Sequence, residues 1–205
     1  MIKKNKKKIV YFGFSLIELL ISMFIILSVT SLVMAIFVAG LRGSSRASVE
    51  MSVRQNGSLA LAQVARMIRN SKSFDGVSID GSTNFTTDVC YVSPGFGPTP
   101  TPQAFKAVRM TAFDGGVSTI ACPEVGETSI TSKSATLASP LPLTDTTTVA
   151  VLPNSCYFTC QQSTETDSPI VGITFRLESL KVGGVVGQTV GQTFQTLVIP
   201  RNFVR

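Results

Sequence analysis

The sequence predicts an α+β protein, with one long N-terminal α-helix packed on a C-terminal antiparallel β-sheet head. Three observations predict it. Residues 14–41 form an apolar run in which Glu18 is the one ionisable side chain. No proline occurs between Met1 and Ser93, so no missing backbone donor interrupts a helix there. From Ser71 onward the composition turns to Thr, Ser, Val, Gly and Pro in short alternating segments, the pattern of strands and turns.

The apolar run comes first. About twenty apolar residues in a helix cross the hydrocarbon core of a bilayer, and a longer run crosses with some tilt. The run is preceded by Lys3, Lys4, Lys6, Lys7 and Lys8 and followed by Arg42 and Arg46. That bias places the N-terminus inside and the remainder of the chain outside. The formal charge of +6 comes from 18 basic against 12 acidic residues. Without residues 1–13 and their five lysines, thirteen bases face twelve acids, or +1. The basic balance is therefore a targeting signal and gives no support to nucleic-acid binding.

Residues 42–70 change character. Val49, Val53, Ala60, Leu61, Val64 and Ile68 recur at helical spacing, while Arg46, Glu50, Arg54, Gln63 and Arg66 fill the other faces. This is an amphipathic helix continuing the span. Gly57 weakens it by about 1 kcal/mol relative to Ala without ending it. Asn70-Ser71 and Asp75-Gly76 are stop signals. A single helix over residues 14–70 is roughly 85 Å long at 1.5 Å per residue.

Strands are expected at 88–93, 104–113, 117–121, 147–152, 170–180 and 193–199. From Ile173 to Ser179 apolar and polar residues mostly alternate, the mark of a half-buried strand. The stretch from Pro94 to Pro102 is a loop, because its prolines cannot donate to a ladder. Residues 183–191 form a glycine-rich connection before the last strand.

Glu18 needs its own explanation. A charge at mid-bilayer costs about 2.5–3.5 kcal/mol on insertion scales, which marks a lone intramembrane carboxylate as functional. The plain alternative is a residue near the end of a span whose side chain reaches back to the interface. Residues 1–41 are too long in their apolar core for an ordinary secretory signal, whose core is about 7–15 residues. An uncleaved membrane anchor accounts for the lysines and the length, but not for Gly13-Phe14 with Glu18.

Gly13-Phe14-Ser15-Leu16-Ile17-Glu18, after a lysine-rich leader and before a long apolar run, resembles the class III signal of type IV pilins and pseudopilins. The family usually has Thr where this chain has Ser15, and both are small hydroxyl residues. The resemblance implies cleavage by a prepilin peptidase between Gly13 and Phe14 on the cytoplasmic side. It implies N-methylation of Phe14, and pairing of Glu18 with the Phe14 amine of a neighbouring subunit during filament assembly. The implied division is a cleaved leader at 1–13, a transmembrane and filament-core helix at 14–41, its amphipathic half at 42–70, and a periplasmic or extracellular β-rich head at 71–205, a pilin-like fold.

Many major pilins carry a proline inside the apolar segment, and this chain has none there. Arg54-Gln55-Asn56-Gly57, Ala60-Leu61 and Arg66-Met67-Ile68-Arg69 resemble the helix of PilW-like minor pilins and J-type minor pseudopilins. The segment from Phe194 to Asn202 resembles the closing strand of pilin-like minor subunits. These likenesses imply a minor subunit that helps to prime a type IV pilus. The alternatives are a minor pseudopilin of a type II secretion system and a pilus-tip adhesin or DNA-binding subunit. The implied partners are other pilins or pseudopilins, the prepilin peptidase, the inner-membrane assembly platform and, before assembly, the membrane itself. The implied location is the inner membrane and then the filament.

Four cysteines, Cys90, Cys122, Cys156 and Cys160, suggest disulfides in an exported domain. Of the three connectivities, the expected one joins Cys156 to Cys160 and Cys90 to Cys122. The first pair requires a backbone turn that brings the two Cα atoms within about 7 Å. A four-thiolate zinc site is the competing reading, and the second half lacks a matching close pair.

The chain has no histidine, so no imidazole-based triad or imidazole metal ligand is available. No Walker-type phosphate loop occurs. Glu124 and Glu127 are expected as solvated turn acids rather than an acid–base or calcium pair, and Asp75, Asp80 and Asp88 as sparse loop acids. No catalytic residue, metal or cofactor is expected, and the chain is read as a structural subunit rather than an enzyme.

Overall fold

The computed structural model describes residues 13, 15–81, 84–87, 90, 103–136, 138–164, 167–180 and 189–201. The chain divides into two compact units that part between Ser45 and Arg46.

Helix α1 (Leu16–Arg69) is 54 residues of unbroken α-helix. Its first turn hangs on the Ser15 carbonyl, which accepts from the N–H groups of Glu18 at 3.0 Å and Leu19 at 3.3 Å. Its end is fixed by Ser71, whose N–H and hydroxyl both donate to the Ile68 carbonyl, at 3.4 and 2.8 Å. Arg66 and Arg69 in the last turn complement the negative end of the helix dipole.

Within the second unit, Val53, Gly57, Ala60, Val64 and Ile68 are the buried residues of α1. Their spacing of three and four keeps them on one stripe, which enters the core of the head. Gly57 lies in that stripe for a packing reason. A Cβ built there would clash with the tip of the Phe194 ring. Phe194 in turn stacks on Phe175, with ring centroids 5.5 Å apart. The glycine's helix cost of about 1 kcal/mol is thus set against aromatic packing directly on the helix backbone.

The head holds two antiparallel sheets. The first is a meander of β1 (Ser73–Ser78), β2 (Ala107–Thr111), β3 (Val117–Ala121), β4 (Thr131–Ser134) and β5 (Leu141–Pro142), in that spatial order. Its inward face carries Phe74, Val77, Val108, Met110 and Ile120, all buried. The second contains β6 (Val149–Val151), β7 (Tyr157–Gln161), β8 (Ile170–Ser179) and β9 (Gly191–Val198). Strand β8 is its centre. β7 pairs with the first half of β8 and β6 with the second, and β9 pairs along the other edge. The expected alternation holds in β8: Ile173, Phe175, Leu177 and Ser179 are buried, and Arg176 is exposed.

Strand β7 joins the two sheets. Phe105, just before β2, exchanges two backbone hydrogen bonds of 2.8 Å with Phe158 of β7. On either side of this bridge lies a disulfide: Cys122–Cys156, with Cα atoms 5.6 Å apart, and Cys90–Cys160, at 4.9 Å. The expected pairing of Cys156 with Cys160 and of Cys90 with Cys122 is corrected. Cys160 lies within β7 and Cys156 at its start, four residues away in extended chain. At about 3.3 Å per residue their Cα atoms are about 13 Å apart, far beyond disulfide reach. Zinc is also displaced, since all four sulfurs are bonded to one another and no cysteine is free.

Other expectations fare differently. β1 was not foreseen, because Asp75-Gly76 reads as a stop. The chain passes this point with a register shift between Phe74 and Gly76. Gly76 has φ 123°, and a Cβ there would strike the Thr86 backbone. β4, β5 and β7 were also unforeseen, and Gly191 opens β9 instead of closing a loop. Of the strand expected at 88–93 only Cys90 lies within the described residues, where it forms a turn. The loop from Pro94 to Pro102 and most of the connection at 183–191 lie outside them.

A helix–loop tie completes the head. The Asp145 N–H donates to Asn56 Oδ1 at 3.3 Å. The Asp145 carboxylate accepts from the hydroxyl and N–H of Thr147 and from the hydroxyl of Thr148, and these bonds hold its carboxyl below the usual range.

Two outcomes check this architecture. Non-reducing peptide mapping yields Cys90–Cys160 and Cys122–Cys156 cross-linked peptides, and Cys122→Ser/Cys156→Ser lowers stability by about 2–4 kcal/mol in urea titrations. Gly57→Ala destabilises the full chain in detergent by about 1–3 kcal/mol through overpacking, although alanine is the better helix former. The paired change Gly57→Ala/Phe194→Leu recovers part of that loss.

Candidate functional site

Among the described residues of the first unit none is buried. From Leu16 to Leu41 every residue of α1 is exposed, including Phe24 at 74%, Leu27 at 69% and Ile36 at 72%. The helix is long and apolar enough to cross a membrane. Its few hydroxyls are compatible with lipid. Ser22, Ser28, Thr30 and Ser31 donate back to the carbonyls of Leu19, Ile25, Ile26 and Ser28, at 2.7–3.0 Å. Each hydroxyl donor is thereby satisfied inside its own helix, which removes the cost of carrying it into hydrocarbon.

Glu18 stands in the first helical turn and is exposed. Ser15 occupies the N-cap position, so Glu18 falls three residues later, at the acidic position of a capping box. The positive end of the helix dipole favours a carboxylate there. Among the described residues the Glu18 side chain has no hydrogen-bond or ion-pair partner. Gly13 is described and exposed; Phe14, the expected site of cleavage and methylation, lies outside the described residues.

One helix face escaped the sequence analysis. Ser31, Ala35, Ala39 and Gly43 follow one another at intervals of four, so they line one side of α1. A Cβ added at Gly40 or Gly43 meets nothing within 4 Å. Among the described residues nothing requires glycine at either position, and each costs about 1 kcal/mol in helix propensity. Such a face lets a second helix backbone approach closely. The spacing was visible in the sequence, but hydropathy alone hides it because alanine counts as apolar.

The acids of the head have structural work. Asp75 accepts from the hydroxyls of Ser73 at 3.0 Å and Thr111 at 2.7 Å. Asp80 accepts from the Ser78 hydroxyl at 2.7 Å. Glu127 accepts from the Glu124 N–H at 3.4 Å. Among the described residues no group of three or more metal-ligating side chains converges. Comparison of the chain with protein-family models, with curated proteins and with solved structures finds no match.

Proposed function

We propose that the chain is a minor pilin-like structural subunit, inserted in the inner membrane, processed between Gly13 and Phe14, and assembled through α1 into a type IV pilus that it helps to initiate. The observation that carries this reading is the wholly uncovered apolar half of α1 with a single carboxylate in its first turn.

An unpaired carboxylate at mid-bilayer costs about 2.5–3.5 kcal/mol, and Glu18, near the start of the span, bears part of that cost. Cleavage after Gly13 creates a cationic amine at Phe14. Pairing Glu18 with the amine of a neighbouring subunit relieves the buried charge. The face of Ser31, Ala35, Ala39 and Gly43 then supports close packing of the bundled helices. The lysine leader and the later Arg42 and Arg46 favour an orientation with the head outside. The two disulfides fit that side of the membrane, where oxidising conditions maintain them.

The test separates insertion from assembly. Glu18→Ala and Gly43→Leu should leave membrane insertion and head stability unchanged. Each should reduce recovery of the subunit in sheared filaments, by about tenfold if the lost interaction is worth 1.4 kcal/mol. Wild-type incorporation of both variants contradicts the reading.

A further inference from the structure

The first sheet has two faces of opposite character. One carries Val108, Met110 and Ile120 into the core. On the other, the register sets Arg109 opposite Thr119 and Thr119 opposite Lys133. Residues directly opposite in antiparallel strands project to the same face. With neighbouring strands about 4.8 Å apart, the two cations rise from backbone positions about 10 Å apart, with a hydroxyl between them. This row lines an open cavity of about 560 Å³. That volume falls within the roughly 300–1,000 Å³ of small-ligand sites.

Arg109 is half-buried and held in place. Its guanidinium carbon lies 4.6 Å from the centroid of the Phe85 ring. The ring face attracts the guanidinium, whose N–H groups can still donate. Among the described residues neither Arg109 nor Lys133 has an ion-pair partner. Glu124 and Glu127 line the same cavity, and the Glu127 carboxylate accepts from the Glu124 N–H at 3.4 Å. Thr131 lies on the same face, in the row next to Thr119.

The geometry points to a binding site for an acidic sugar, a ring that carries one carboxylate beside hydroxyls. The carboxylate matches the planar fork of Arg109, and Lys133 supplies a second charge. The hydroxyls of Thr119 and Thr131 face the ring hydroxyls. The two glutamates select among anions: they accept hydrogen bonds from sugar hydroxyls and repel a second carboxylate or phosphate further along. An acidic peptide or a nucleic acid meets that repulsion, and a singly charged sugar does not. The site stands independently of the filament reading.

Calorimetric titration of the full chain in detergent tests it with three probes. They are a disaccharide of glucuronic acid and N-acetylglucosamine, its carboxyl-reduced counterpart, and a tetra-aspartate peptide. The acidic saccharide should bind, with the reduced form about tenfold weaker and the peptide weaker still. Arg109→Gln should lower affinity for the acidic saccharide about tenfold and Lys133→Gln by a smaller factor, while Lys72→Gln, away from the cavity, leaves it unchanged. Should Arg109→Gln not fold, Arg109→Lys keeps the charge without the fork and should still weaken binding. Absence of binding by the acidic saccharide, equal binding of its reduced form, tighter binding of the peptide, or wild-type affinity in the Arg109 variant overturns the assignment.

Discussion

An apolar helix surface, exposed from Leu16 to Leu41 among the described residues, is the constraint on which the rest of this structure depends. From Leu16 to Leu41 the side chains are exposed and almost all apolar. Water is a poor solvent for such a surface, at about 25 cal/mol per Å², so it belongs in lipid or against other helices. The neighbouring features are consistent with either setting. Hydroxyls bond back to their own helix, small residues line one face, and the sole carboxylate stands in the first turn.

Beyond Ser45 the same helix solves the opposite problem. It carries a narrow buried stripe from Val53 to Ile68, and the head closes over that stripe. Gly57 admits Phe194 to the helix backbone, and Asn56 accepts from the Asp145 N–H. The head is then consolidated at β7. The Phe105–Phe158 backbone bridge and the two flanking disulfides hold the sheets together at three successive inward positions, 156, 158 and 160. Ligation at these points constrains the unfolded chain more than a local four-residue bridge does, because the loops closed are of 34 and 70 residues.

The helix was legible because its signals are local and agree: no proline, continuous apolar character, then a periodic stripe. β8 was legible for the same reason, from its alternation. The disulfides were misjudged because closeness in sequence was taken for closeness in space. Cys156-Tyr157-Phe158-Thr159-Cys160 is itself an alternating segment, with the aromatic character of a strand, and a strand forbids a bridge across it. β1 was hidden by Asp75-Gly76, where the bulge uses the glycine's positive φ inside the sheet. The row of Arg109, Thr119 and Lys133 depends on the register of three strands, and no local pattern encodes it.

The proposed assembly contact joins Glu18 to a newly made amine at Phe14. The most direct measurement is the intact mass and N-terminal residue of the protein from membranes, with and without a functional prepilin peptidase. The account predicts a mature chain beginning at N-methylated Phe14, seen only when the peptidase is present. A chain that keeps residues 1–13 in the presence of active peptidase contradicts it and leaves α1 as a plain membrane anchor.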